Sequence, residues 1–338
     1  MNRRSVGLLG LCAIGLTLGS SGSARAFGSG DDRGSAGFKS LLLSPSARLA
    51  ALGDAAVALP GNPSSIAVNP ASAAGISRRC VSLSATNYVL DILPVGGIIV
   101  YPTRRGVWSL GVENVSYGTF DRVDEFAGAN GTFQANDIAF HLGWGAAWKY
   151  GISAGVSFGW ARSTIAEFSA TALVANVGLL YETNRGRTTV GLAVTDLGTA
   201  LSSYLGGDQG LKDDVPTAFH LGATHRPEHF PVPLTLLADL ALPRDNEATL
   251  SVAAEARPLE PLALRVGYDS LVRYISVAGA DGGRDRRIGL DDRHSGSFGG
   301  LGLSLGMGLV WKDIGVDYSY SLAGPFGAIH QLTAQYSW

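Results

Sequence analysis

Three histidines close together in the sequence are the first candidates for metal chemistry. They are His220, His225 and His229. His220 falls in a segment of alternating apolar and small residues, and the other two flank Pro227 in a predicted turn. A zinc site needs ligands at a fixed spacing, and no acidic partner stands at such a spacing here. We therefore expect no metal and interpret His225 and His229 as solvated turn residues.

Glycines near residue 300 form the second candidate, a dinucleotide loop. Gly300, Gly302, Gly306 and Gly308 are close in spacing to G-x-G-x-x-G, but that motif would need glycine in place of Leu305 and a βαβ unit around it. Glycines at every second place of a strand instead indicate close packing of another backbone. We expect no cofactor. No recognisable order of Ser, His and acid is found, so we predict a protein that is not an enzyme.

The composition favours many short strands. Charged residues make up 16% of the chain, while glycine and proline number 46 and 14. This is too apolar for a disordered chain and too rich in helix breakers for a helical protein. A net charge of −2 without a basic block argues against nucleic acid as a partner. Outside the N-terminal apolar run only Cys80 remains, which excludes an internal disulfide and predicts a buried thiol.

The N-terminus predicts export. Arg3 and Arg4 precede an apolar stretch from Val6 to Leu18, and Ala24-Arg25-Ala26 is typical of a cleavage site. We predict a signal peptide over residues 1–26 and a mature chain that begins at Phe27. No later apolar run approaches the roughly 18 residues that a membrane-spanning helix needs. Only a closed barrel could then satisfy every backbone group in lipid.

From Cys80 onward the chain repeats segments of roughly 8 to 14 residues in which apolar side chains alternate with small or polar ones. In the clearest segment Ile138, Phe140 and Leu142 alternate with small residues and a histidine. We count about 14 such segments. The fold class is therefore predicted to be all-β, a transmembrane antiparallel β-barrel of about 14 strands over residues 80–338.

The predicted connections differ in length at the two ends of this barrel. Short turns, each after an even strand, are predicted at Tyr150-Gly151, Asn184 to Arg187, Arg257 to Pro261 and Lys312-Asp313. Long polar or glycine-rich stretches, each after an odd strand, are predicted at 118–135, 197–215 and 271–296. Short periplasmic turns and long outer loops are typical of outer-membrane barrels.

The face that alternates with the apolar one carries glycine, serine and a few charges, which suits a lumen better than the outside of a soluble sandwich, the alternative fold. The charges on this face of late strands are Asp239, Glu255, Arg265 and Asp317. Charged side chains that face the lumen cost little free energy when they form ion pairs or contact water. Two interpretations stay open for them: they hold a plug, or they line a transport path.

The two ends of the mature chain carry further predicted features. Residues 27–79 form an N-terminal segment with a Gly/Ser-rich start, a short helix around Ser46 to Val57 and a Pro/Asn loop, and we place it inside or under the barrel as a plug. The last strand ends in Tyr336 and Trp338, with apolar residues at every second place before them. This pattern resembles the terminal strand that barrel assembly machinery recognises. Outer-membrane lipid is the expected surrounding of the strands.

Several motifs resemble the FadL superfamily and, more narrowly, its PorV/PorQ branch. The run from Ser46 to Ala58, with Asn62-Pro63 and Val68-Asn69-Pro70-Ala71, resembles the N-terminal signature. Further matches lie at Ala254–Pro258, Leu264–Tyr268, Val316–Tyr320 and Gly327–Trp338. The resemblance implies a 14-stranded barrel whose N-terminal segment enters the lumen, and it adds Arg48 and Asn69 to the lumen and plug residues.

The resemblance implies two functions. The PorV/PorQ branch acts in type IX secretion, with a cell-surface sortase and exported cargo as partners. The wider superfamily carries hydrophobic molecules across the outer membrane, which makes a FadL-like uptake channel for long-chain fatty acids or other hydrophobic small molecules the alternative. The compact chain and modest loops favour the secretion role. An outer-membrane lipid hydrolase is a third hypothesis, without a catalytic motif to support it.

Overall fold

A computed structural model describes residues 36–88, 92–124, 128–183, 186–204, 213–270, 302–322 and 327–338. Within these ranges fourteen strands form one closed antiparallel barrel in chain order, and the last strand pairs with the first. The predicted all-β antiparallel barrel and its strand number are confirmed, and the alternative of a sandwich is wrong. The predicted signal peptide and the loop at 271–296 lie outside the described residues. No helix in the described ranges is long and apolar enough to cross a membrane.

The strands are β1 (Cys80–Asn87), β2 (Leu93–Thr103), β3 (Gly106–Asp124), β4 (Gly128–Ala147), β5 (Ile152–Ile165), β6 (Phe168–Thr183), β7 (Thr188–Ser202), β8 (Ala218–His225), β9 (Leu234–Pro243), β10 (Thr249–Leu259), β11 (Leu262–Asp269), β12 (Leu303–Trp311), β13 (Ile314–Leu322) and β14 (Ala328–Ser337). One α-helix, α1, spans Ala47–Ala51. Short 3₁₀ helices span Lys39–Leu42, Ser64–Ala67, Pro70–Gly75 and Lys149–Gly151.

Neighbouring residues of each strand face opposite sides of the barrel wall, as the alternation predicted. On β5 the outward Phe158 is 64% exposed, whereas Ser157 beside it is 4% exposed. Large apolar side chains are exposed in this way on strand after strand. A soluble monomer rarely exposes so extensive an apolar surface, whereas a barrel in lipid requires one.

Short turns follow even strands, as the sequence predicted, but the turn predicted at Arg257 to Pro261 is shorter because β10 runs to Leu259. For example, β4 and β5 are joined at 148–151, and β12 and β13 at 312–313. The prediction of a loop at 118–135 is wrong, because β3 extends to Asp124 and pairs there with β4 from Gly128 onward, with shifts of register after Ser116 and Asp121. The polar residues of this stretch suggested a loop, yet strands that extend beyond the lipid need no apolar outer face. The rings of Phe120 and Phe133 stack across this pair of strands at 5.4 Å.

The helix of the N-terminal segment is shorter than predicted. The Ser46 side chain caps α1 by accepting a hydrogen bond from the Leu49 N–H. The predicted helix ran to Val57, but Gly53 and Asp54 adopt positive φ angles of 58° and 60° and turn the chain away. Beyond α1 the apolar residues of this pattern are buried without forming a helix, since Leu52, Ala55 and Ala56 are all fully buried.

Inward-facing glycines let the backbone of the N-terminal segment, described over residues 36–79, lie directly against the barrel wall. A Cβ atom added at Gly155 on β5 would lie 2.3 Å from the Pro70 carbonyl carbon, and one at Gly191 on β7 would lie 2.4 Å from the Val57 carbonyl oxygen. A Cβ at Gly306 on β12 would lie 2.3 Å from the Ala51 Cβ. Any side chain at these places would displace the segment, which explains why the inner wall is rich in glycine.

Candidate functional site

A cavity of about 100 Å³ lies between the N-terminal segment and the inner wall of β14 and β1–β7. Leu41, Leu43 and Ile66 from the segment and Ile98 from β2 form its apolar lining. Its hydroxyl groups come from serines and a threonine of the segment and of β1, β3 and β5. These are Ser44, Ser64, Ser82, Ser84, Thr86, Ser109 and Ser157. The cavity therefore offers apolar contact together with several hydrogen-bonding groups.

Two carboxylates and one imidazole also line this cavity, namely Glu113 on β3, Asp196 on β7 and His141 on β4. No arginine or lysine of the described residues is among the lining groups. None of these three residues was predicted from the sequence as a site residue. Glu113 and His141 are at inward-facing positions of their strands. The alternation of the sequence could therefore have placed them in the lumen, but it could not have placed them beside a cavity.

Asp196 reaches the cavity because of a β-bulge. Asn176 of β6 lies opposite two residues of β7, Thr195 and Asp196, and the register shifts there. Asp196 has a φ of 52°, which is strained for a non-glycine residue. The Asn176 side chain holds the bulge by accepting the Asp196 N–H at 2.7 Å and by donating to the Ala67 carbonyl at 3.2 Å. The same amide thus joins the bulge to the N-terminal segment.

An apolar cluster continues from the cavity along the inner wall of β4–β7. Its wall residues are Ala139, Ala161, Ala170, Ala172, Val174 and Ala200. Phe38 and Val215 complete it, and Leu41 packs against it while also lining the cavity. The inner wall is therefore apolar over several strands in this part of the lumen.

Four of the six residues predicted for the lumen or plug form one charged network. Arg48 of α1 donates to both carboxylate oxygens of Glu255, at 2.8 and 2.9 Å. Arg265 donates from Nε to Glu255 at 2.7 Å and from Nη1 to Asp317 at 2.6 Å. The side chains of Glu255 and Arg265 are only 4% and 3% exposed. The network joins the N-terminal segment to β10, β11 and β13, and Arg257 contributes a longer contact to Glu255 of 3.3 Å.

The other two predicted residues, Asp239 and Asn69, also join the segment to the wall. The Asp239 carboxylate on β9 accepts the Val57 N–H at 2.7 Å. The fully buried Asn69 amide donates to the Val57 carbonyl at 2.7 Å and to the Leu179 carbonyl of β6 at 3.3 Å. All six residues thus face the interior and contact the segment or its partners, whereas none of them lines the cavity.

The remaining sequence candidates lie apart from the cavity. His220 contacts Thr195 at 3.1 Å, His225 contacts Thr188 at 2.9 Å, and His229 is exposed in the turn after β8. The described residues contain no group of three or more His, Cys, Asp or Glu placed to hold a metal ion. Cys80 is buried, as predicted.

The chain end closes the barrel. Tyr336 and Trp338 stack at 5.7 Å on its outer surface, and the Trp338 N–H donates to the Arg79 carbonyl at 2.9 Å. These contacts place the last residue beside the start of β1, at the end of the barrel that carries the short turns. The structure thus shows where the predicted assembly signal lies, and its recognition stays a prediction.

The barrel is similar to solved structures of hydrocarbon channels. It matches the deltaS2 mutant of the TodX monoaromatic hydrocarbon channel with a TM-score of 0.55 at 13% identity, over 86% of this chain and 97% of that one. The P. putida toluene transporter TodX gives 0.54 at 11% identity, over 86% and 95%. The CymD monoaromatic hydrocarbon channel gives 0.52 at 12% identity, over 87% and 96%.

No protein-family model and no curated protein matches the chain. At identities this low the structural likeness establishes a shared fold. The chain therefore has the fold of these hydrocarbon channels, and the comparisons do not bear on the PorV/PorQ branch.

Proposed function

We propose that this chain is an outer-membrane channel that takes small hydrophobic molecules through the lumen of its barrel. The cavity beside the N-terminal segment is the observation that supports this function most strongly. Its apolar lining from Leu41, Ile66 and Ile98 adjoins the apolar cluster of β4–β7, so an apolar molecule would meet apolar wall over much of this part of the lumen.

The size of the cavity favours small molecules over long-chain fatty acids. A cavity of roughly 150 Å³ lined by apolar side chains admits benzene, and about 100 Å³ is of the same order. The solved structures of similar fold are named as channels or transporters for monoaromatic hydrocarbons and toluene. Both observations support a ligand the size of a single ring.

The N-terminal segment is proposed to be the plug of this channel. Its contacts support that role: the glycines of the wall admit its backbone, the network around Glu255 holds α1, and Asp239 and Asn69 hold the turn at Val57. A ligand that passes through the lumen would require part of this segment to move. The cavity lies along its edge against β14 and β1–β7, whereas the charged network joins the segment to β10, β11 and β13.

The predicted signal peptide and the apolar outer surface of the barrel support an outer-membrane location. Exposed aromatic side chains at the short-turn end, among them Trp148, Trp311 and Trp338, suit the interface between lipid and water. Among the described residues nothing favours secretion cargo or a sortase over a small ligand, and the secretion role remains a prediction of the sequence alone. We also propose that the protein is not an enzyme, and channels of the same fold agree with this.

Uptake of labelled toluene by cells would test the proposal, with two glycine variants as a matched pair. Gly111 lines the cavity, and a Cβ added there would have its nearest neighbour at 3.8 Å. Gly315 on β13 also faces inward, has the same 3.8 Å clearance and lies away from the cavity. Gly111→Phe should fill the cavity, whereas Gly315→Phe adds the same bulk elsewhere in the lumen.

We expect cells with the native chain or Gly315→Phe to take up toluene faster than cells without the protein. Cells with Gly111→Phe should fall to the rate of cells without it, at equal amounts of heat-modifiable barrel in the membrane. Uptake that is the same with and without the native chain would refute the channel function. Equal uptake by the two variants would refute the route through the cavity.

A further inference from the structure

The lining of the cavity contains acidic side chains without arginine or lysine partners among the described residues. Glu113 and Asp196 bring two carboxylates to it from different strands, and no arginine or lysine of the described residues lines it. Three other inward acids of the described residues have partners: Glu255 and Asp317 are paired with arginines, and Asp239 accepts a backbone N–H. The cavity acids are therefore available to a ligand.

Of the two acids, Asp196 gives the stronger evidence that a hydrogen-bond donor is missing from the cavity. It is 6% exposed, and its carboxylate has no hydrogen-bond donor among the described residues, although its backbone N–H and carbonyl are both bonded. A buried carboxylate without a partner costs several kcal/mol in general, so its position needs a reason. The bulge and the strained φ of 52° turn this side chain towards the cavity at additional cost.

Glu113 is a second cavity acid whose carboxylate lacks a hydrogen-bond donor among the described residues. Asp196 and Asp137 lie near enough to repel a charge on Glu113, and the described residues place no hydrogen-bond donor on the Glu113 carboxylate. Asp137 accepts the Tyr117 hydroxyl at 2.9 Å through one oxygen, while its other oxygen is buried with no partner in the described part of the chain. A ligand with a carboxylate would add another negative group to this cluster.

We infer that the cavity selects apolar molecules that carry a hydrogen-bond donor, a hydroxyl or an amine, and excludes those that end in a carboxylate. The inference rests on the proposed channel function and narrows its ligand class. The apolar body would lie against Leu41, Ile66 and Ile98, and the donor would reach Asp196 or Glu113. A metal ion is not the expected occupant, because the described His, Cys, Asp and Glu residues form no ligand group of three.

His141 is the competing feature, since a protonated imidazole in the lining would attract a carboxylate. It is one imidazole beside two acids in the lining, and Asp137 lies close to them as a third acid. The experiment below includes a His141 variant so that this alternative has its own outcome.

Four one-ring ligands that differ in a single group would test the inference. Binding of 4-fluorotoluene, 4-fluorobenzyl alcohol, 4-fluorobenzylamine and 4-fluorobenzoate to the purified full-length barrel can be followed by fluorine NMR. The Gly111→Phe variant in the same detergent corrects for partition into micelles. The double variant Asp196→Asn with Glu113→Gln removes both charges and keeps the shapes, and asparagine tolerates the positive φ. Asp313→Asn with Glu228→Gln removes two charges from exposed turns as a matched control.

We expect the alcohol and the amine to bind at least about tenfold more tightly than the benzoate, the low end for a hydrogen bond to a charged group. The double variant should lose that preference, and the control should keep it. A hydroxyl ligand is indicated if the alcohol exceeds the amine, and a cationic ligand if the order is reversed. Benzoate binding as tight as the alcohol, an unchanged preference in the double variant, or benzoate binding abolished by His141→Gln would each overturn the inference.

These results separate the inference from the function on which it rests. If 4-fluorotoluene binds and toluene is taken up but the four ligands bind equally, only the selection is wrong. If none of the four ligands binds, the channel function and the selection both fail.

Discussion

Replacing Glu255 with glutamine should loosen the N-terminal segment and leave the barrel closed. Glu255 is the acceptor for Arg48, Arg265 and Arg257, and with Asp317 it gives the network three positive and two negative groups, a net charge of +1. Glu255→Gln raises this to +2 around a buried arginine. Removing one partner of a buried ion pair costs about 3 to 5 kcal/mol, and because Arg48 is 19% exposed we expect about 3 kcal/mol.

Hydrogen exchange followed by mass spectrometry would measure this effect region by region. The Val57 N–H and the α1 amides should exchange roughly a hundredfold faster in the variant, the factor that corresponds to about 3 kcal/mol. Amides of β4 and β5, which do not contact Glu255, should keep their protection. Glu228→Gln breaks an exposed pair with Arg187 and should change exchange little, since exposed pairs contribute about 0 to 1 kcal/mol. Unchanged exchange in α1, or equal loss of protection in β4 and β5, would refute the anchoring role.

Three further predictions concern the wall and its closure. Phe158→Arg should lower the free energy of unfolding in lipid vesicles by about 2 to 4 kcal/mol relative to Phe158→Leu, because this side chain faces lipid; equal stability of the two variants would contradict the lipid face. Gly155→Leu should displace the N-terminal segment and speed its hydrogen exchange, whereas Gly111→Leu should not, since only Gly155 has backbone at 2.3 Å; similar exchange in both would contradict the packing argument. Deletion of Tyr336–Trp338 should leave the chain exported but unassembled, and a retained heat-modifiable shift on gels would contradict their role in assembly.

The sequence could predict which residues of each strand face lipid and which face the lumen, because a barrel wall has only two sides. Once Phe140 and Leu142 are assigned to lipid, His141 and Gly143 must face inward, and pairing carries the same assignment to β5. The charges at Glu255, Arg265 and Asp317 followed from the same alternation. Their pairing with Arg48 depends on how the N-terminal segment crosses the lumen, which alternation does not determine.

The cavity could not be predicted from the sequence, for two reasons. Asp196 faces inward only because a bulge inserts it, and a residue on a bulge does not obey the period-2 rule. The sequence also could not separate glycines that touch the segment from glycines that border empty space. Gly155 and Gly111 look alike as inward residues, yet a Cβ at the first would meet Pro70 and a Cβ at the second would meet nothing nearer than 3.8 Å.

The central claim is that small apolar molecules occupy the cavity beside the N-terminal segment. Crystals of the protein soaked with bromobenzene would test it most directly, through the anomalous scattering of bromine. We predict a bromine peak bordered by Leu41, Ile66 and Ile98, which should be absent from crystals of the Gly111→Phe variant. Bromine found only on the outer, lipid-facing surface, or equally in both crystals, would contradict the claim.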